Sequence, residues 1–165
     1  MEEKFFSLET VKWMDGKVLA IDQRLLPRKL AYIELSSCDD VARAIKDMAV
    51  RGAPAIGAVA AMGLALAARW SRAETGEGLL EELRKARKKI ESTRPTAVNL
   101  FWATRRVMEA AEAAGKAKER IVEAVVEEAK RVAREDVETN RKLGKIGAKL
   151  IEDGDSVLTH CKGLP

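Results

Sequence analysis

The spacing of apolar residues along this chain changes period once, near residue 36. Before it, short apolar runs alternate with turn signals: Leu8 to Met14, then Asp15-Gly16, then Lys17 to Ile21, with Tyr32-Ile-Glu-Leu35 following Pro27. An Asp-Gly pair between two such runs predicts a tight hairpin, so residues 1–35 read as a small N-terminal β-meander. After residue 36 the period becomes helical. Ser36-Ser37-Cys38-Asp39-Asp40 offers N-caps for a helix with Val41, Ala42, Ile45, Met48 and Ala49 on its apolar face.

A second helix begins at Pro54, whose missing N–H costs nothing in a first turn. From Ala53 to Ala68 it is apolar nearly all round and rich in Ala and Gly, which predicts a central helix with close neighbours on several sides. As a helix this stretch would rise about 24 Å, short of the roughly 30 Å hydrocarbon core of a bilayer. Leu79, Leu80, Leu83, Ala86 and Ile90 then mark an amphipathic helix ending near Ser92. Thr93-Arg94-Pro95-Thr96 opens another, running through Val98, Phe101, Trp102, Val107, Met108 and Ala111 to a stop at Gly115. Ala117 to Ile151 reads as helical, with a break near Thr139-Asn140 or Gly144, and its charges read as a solvated face. The fold class is α+β: the meander, a helical domain over residues 36–152, and a final apolar strand from Ser156 to Cys161. That strand is of the kind found inside parallel sheets, yet no partner of its type precedes it among the helices.

Composition narrows the function. The 165 residues include 30 Lys and Arg against 26 Asp and Glu, a net charge of +4 that is spread evenly, and aromatic residues make up 4%. Neither a basic nucleic-acid surface nor a base-stacking platform fits those values. Cys38 and Cys161 form no CxxC or Cys/His metal spacing, which argues against a zinc site and for a reducing compartment, the cytoplasm. The acidic N-terminus does not resemble a secretory signal, and no membrane span is expected.

Two segments carry candidate chemistry. In Met48-Ala-Val-Arg-Gly-Ala-Pro-Ala-Ile-Gly57, Arg51 stands beside a helix start whose free N–H groups and dipole favour a phosphate or carboxylate. Arg94 before Pro95 repeats the device, and two such starts converging on one ligand suit a phosphorylated small molecule. The alternative is a pair of ordinary core helices, each preceded by an Arg that faces solvent or bonds a nearby carbonyl. At the end of the chain, His160 and Cys161 are neighbours on a strand and point to opposite faces, so they make a poor nucleophilic pair. Cys161 alone is either a small buried hydrophobe or a catalyst.

Three separated segments together resemble methylthioribose-1-phosphate isomerase: residues 48–57, Ser92-Thr-Arg-Pro-Thr-Ala-Val-Asn-Leu-Phe-Trp102 and Leu158-Thr-His-Cys161. Val11-Lys-Trp13, Asp22-Gln23 with Leu26-Pro27, and Glu135-Asp-Val-Glu-Thr-Asn140 extend the resemblance over essentially the whole chain. It implies an aldose-ketose isomerase of methionine salvage, converting 5-methylthioribose 1-phosphate to 5-methylthioribulose 1-phosphate. The family uses no metal or nucleotide cofactor and forms homodimers. By the same resemblance Arg51, Gly52, Ala53 and Arg94 bind the substrate, and Cys161 is the catalytic cysteine beside the sugar. In the family the cysteine leads into a Rossmann-like second domain that carries the proton-donating aspartate. Here Lys162-Gly163-Leu164-Pro165 follow instead, so residues 153–165 are expected to hold the first strand of an absent domain, and the chain to be weak or inactive alone. Two other readings share the fold: a ribose 1,5-bisphosphate isomerase, and a non-catalytic regulatory subunit of the translation-initiation guanine-nucleotide exchange factor.

Overall fold

The computed structural model describes residues 8–158. Three antiparallel strands, β1 (Val11–Met14), β2 (Lys17–Ile21) and β3 (Tyr32–Leu35), form a sheet in the order β1-β2-β3, as the meander predicts. Asp15 and Gly16 take φ of 50° and 78°, the left-handed pair that a two-residue hairpin needs, and this pairs Met14 with Lys17 and Trp13 with Val18. Val18, Ala20 and Leu35 turn inward from the sheet to the helical core.

Five helices follow: α1 (Cys38–Lys46), α2 (Ala53–Arg69), α3 (Gly76–Glu91), α4 (Val98–Ala113) and α5 (Lys118–Gly147), the last continued by a 3-10 turn over Ala148–Leu150. Ser37 caps α1: its hydroxyl oxygen accepts from the Asp40 N–H at 3.1 Å while its O–H donates to the Asp40 carboxylate at 2.8 Å. The helix ends sooner than its apolar spacing suggests. Met48 has φ of 57° and lies 51% exposed, because the chain must turn there to enter α2, whereas Ala49 is buried.

The central helix is α2, buried from Ile56 to Leu66 and packed by α1, α3, α4, α5 and the sheet. Gly63 admits its neighbours; a Cβ there would stand 2.7 Å from a Val41 methyl and 2.9 Å from Ile90. Three expectations need correcting. Pro95 does not open α4: Arg94 to Ala97 form a turn closed by the Ala97 N–H on the Arg94 carbonyl at 3.0 Å, with Pro at its favoured second position. Val98 and Trp102, among the apolar positions through which the helix is expected to run, are 78% and 42% exposed, since α4 turns Leu100, Ala103, Thr104, Val107 and Met108 inward. The predicted break in α5 is absent: Asn140 folds its amide back onto the Asp136 carbonyl at 2.9 Å, and Gly144, with nothing near it, costs about 1 kcal/mol of propensity, too little to stop a long helix. Ser156 to Leu158 pair with no strand among the described residues, and Thr159, His160 and Cys161 lie outside them.

Candidate anion site at two helix starts

Arg51 occupies the short link between α1 and α2. Gly52, with φ of 87°, is the N-cap of α2; it offers no side-chain cap, and no atom lies within 4 Å of where its Cβ would stand. The first helical bond runs from the Ile56 N–H to the Gly52 carbonyl at 2.9 Å. The N–H groups of Ala53 and Ala55 therefore precede the ladder, and Pro54 between them has none. Gly52, Ala53 and Pro54 are exposed, and Arg51 is half-buried. Its Nε is buried without a hydrogen-bond partner. A buried guanidinium N–H without an acceptor is an unmet donor, and the dipole of α2 adds positive potential at the helix start that Arg51 precedes.

Arg94 is half-buried in the turn before α4, whose N-cap Ala97 also supplies no side-chain bond. The two starts are neighbours. A Cβ on Gly57, in the first turns of α2, would lie 3.1 Å from the Asn99 carbonyl and 3.6 Å from Ala103, so the bare glycine lets the ends of α2 and α4 approach without crowding. Arg51, Gly52, Ala53 and Arg94 thus belong to one end of a tightly packed helix pair. Cys161 lies outside the described residues.

The meander braces this end. Gln23, just after β2, donates its backbone N–H to the Ala49 carbonyl at 2.9 Å and its side-chain Nε2 to the Arg51 carbonyl at 2.7 Å. Buried Asp22 accepts from Arg24 Nε at 2.9 Å and Nη2 at 2.7 Å, and that guanidinium holds its carboxyl below the ordinary range. In the sequence, the bracing role of Asp22-Gln23 leaves one signal, a polar pair closing an apolar strand.

The charges of α5, expected on a solvated face, are solvated only in part. Glu128 is buried at 4% exposure, and Arg106 of α4 donates to both Glu128 and Glu135, with Nη2 3.0 Å from the Glu135 carboxylate. Arg131 also reaches Glu128, and the Arg106 guanidinium lies 5.5 Å from the centre of the Trp102 ring. This network ties α5 to α4 below the helix starts. A hollow of about 480 Å³ opens at the other end of α2, between Gly16, Cys38, Trp70 and Arg72, and none of its lining comes from the Arg51 or Arg94 segments. Among the described residues no group of His, Cys, Asp and Glu could hold a metal ion, and no helix is long and apolar enough to cross a membrane.

Residues 49–163 match the model of the initiation factor 2 subunit family. The chain belongs to that family. It is similar to a methylthioribose-1-phosphate isomerase of Thermosipho melanesiensis, 46% identical over 152 residues that make up 92% of this chain and 44% of that protein. Among solved structures it is similar to the 5-methylthioribose 1-phosphate isomerase of Pyrococcus horikoshii, with a TM-score of 0.87 and 42% identity over 93% of this chain and 44% of that one. A structure of the translation initiation factor eIF-2B, subunit delta, from A. fulgidus matches with a TM-score of 0.83 and 48% identity, over 90% of this chain and 43% of that one. The family member described here thus spans less than half the length of these relatives.

Proposed function

We propose that this chain forms the phosphate-gripping part of a methylthioribose-1-phosphate isomerase. The observation that carries the reading is the unpartnered Arg51 Nε at the uncapped start of α2, held against the start of α4 behind Arg94. The names of the relatives supply the substrate class. A phosphate on the anomeric oxygen leaves the sugar no free aldehyde, so the ring must open with the phosphate retained. Protonation of the ring oxygen gives an oxocarbenium-like C1, and hydrogen then moves from C2 to C1. Arg51 and Arg94, with the N–H groups of Gly52 and Ala53, hold the phosphate and place the ring; that supplies orientation and electrostatic stabilisation. Cys161 acts beside C2 in this reading.

The test is thermal unfolding of the 165-residue chain with 5-methylthioribose 1-phosphate, ribose 1,5-bisphosphate and AMP. Stabilisation follows saturation, about 2.7 kcal/mol at a hundredfold excess over Kd. The strongest stabilisation is expected with 5-methylthioribose 1-phosphate. A response to AMP alone would favour the regulatory reading, which the similarity to an initiation-factor subunit keeps in view; a response to none would sink both.

A further inference from the structure

Resting on that phosphate reading, we infer that Gln23 is the positioning residue of the anion site: its side-chain amide holds the Arg51 peptide so that the Gly52 N–H faces the ligand. The segment between α1 and α2 leaves helical geometry twice, at Met48 with φ of 57° and at Gly52 with φ of 87°. Each is a pivot, and the peptide that joins Arg51 to Gly52 lies between them. Gln23 spans that stretch with two bonds, from its N–H to Ala49 and from its Nε2 to Arg51, while the Val50 N–H ties the same stretch to the Ala44 carbonyl at 3.1 Å. A trans peptide is planar, with its C=O and N–H pointing oppositely. Fixing the Arg51 carbonyl on Gln23 therefore fixes the Gly52 N–H on the opposite side of that peptide, at the exposed start of α2.

Gln23 can do this because it is itself held. The Asp22 N–H donates to the Ala31 carbonyl at 2.9 Å, and Arg24 clamps the Asp22 carboxylate. The task needs a donor at position 23. A leucine there offers none, and an ionised glutamate opposes the Arg51 carbonyl with another acceptor. A protonated glutamate donates again, and the carbonyl facing it favours that form.

Calorimetric affinity of the 165-residue chain for 5-methylthioribose 1-phosphate separates these cases, with each variant expressed as a ratio to the unaltered chain at the same pH. The ratio cancels what the ligand and the neighbouring Asp22–Arg24 pair contribute at each pH. At pH 8, Gln23→Leu and Gln23→Glu are each expected to bind about tenfold more weakly, the worth of one hydrogen bond. At pH 5, Gln23→Glu should return to within about threefold while Gln23→Leu stays where it was. Equal weakness of the two variants at both pH values would mark Gln23 as merely structural, and undiminished binding in both would remove its role; either result overturns the inference alone. No binding by the unaltered chain would remove the phosphate reading and this inference with it.

Discussion

Gly57 of α2 and Asn99 of α4 meet so closely that a Cβ on Gly57 would stand 3.1 Å from the Asn99 carbonyl oxygen. The obstacle is backbone, which cannot rotate aside as a long side chain can. A branched side chain at 57 must push α4 away and widen the gap between the two helix starts. Gly57→Val is expected to lower the urea unfolding free energy by about 1–3 kcal/mol and to weaken binding of 5-methylthioribose 1-phosphate. Unchanged stability together with unchanged binding would show that the contact does not set the site.

Arg51 and Arg94 each offer charge-assisted donors to a phosphate, worth about 1.5–3 kcal/mol apiece. Arg51→Ala and Arg94→Ala should each weaken binding of the sugar phosphate by about tenfold to a hundredfold. Lysine at either position should restore only part of the loss, because a point charge cannot reproduce the two-pronged grip. Isothermal titration at fixed ionic strength measures this, and an Arg94→Ala chain with full affinity would confine the site to α2.

Glu128 depends on Arg106 and Arg131 for its place inside the protein. Removing Arg106 leaves a buried carboxylate short of a partner, at a cost of about 3 kcal/mol, the low end for a broken buried pair because Arg131 remains. Arg106→Met with Glu128→Gln should recover most of that loss, since no charge then stays buried. The same guanidinium, by its hydrogen bond, holds the Glu135 carboxyl below its ordinary 4.5. A depressed carboxyl contributes stability that is present above the unfolded value and lost as pH falls through the folded one. Thermal unfolding should therefore drop as pH falls below about 4.5, and drop less in Glu135→Gln; identical acid profiles would exclude this pair as a contributor.

Cys38 opens α1, where a helix dipole would favour a thiolate, but burial first and Asp39 second push its thiol up to about 11 from 9.0. Burial wins, so the thiolate fraction at pH 8 is about a hundredfold below that of a free thiol. Iodoacetamide should modify the Cys38 peptide correspondingly slowly in the folded chain and rapidly in urea, as peptide mapping would show. The sign for stability follows: the contribution is complete below pH 9 and is lost as pH rises through about 11. Fast modification of the folded chain would contradict the burial argument.

Much of this protein was legible before folding because its cues are local. Asp15-Gly16 specified the hairpin, Ser37 the first cap, and the unbroken apolar run after Pro54 the central helix; each works through neighbouring backbone or a repeating face. Boundaries that depended on packing were misplaced: Pro95 reads as a helix start, yet the turn it favours lies upstream of α4. Val98 and Trp102 stand among the apolar positions of that helix and yet lie exposed, because periodicity marks an apolar face without saying what covers it.

The candidate site divides along the same line. Arg51, Gly52 and Arg94 were visible because an arginine beside a helix-starting segment is a local pattern. That their two helix starts abut through Gly57 and Asn99, that Gln23 reaches across the fold to the Arg51 carbonyl, and that Arg106 pairs with Glu128 and Glu135 were not. Each of those joins residues far apart in the chain, and only the burial of α2 among its neighbours brings them within hydrogen-bonding reach. Sequence by itself determined which segments become strands and helices and which residue types stand at their ends; tertiary packing decided which of those ends share one space.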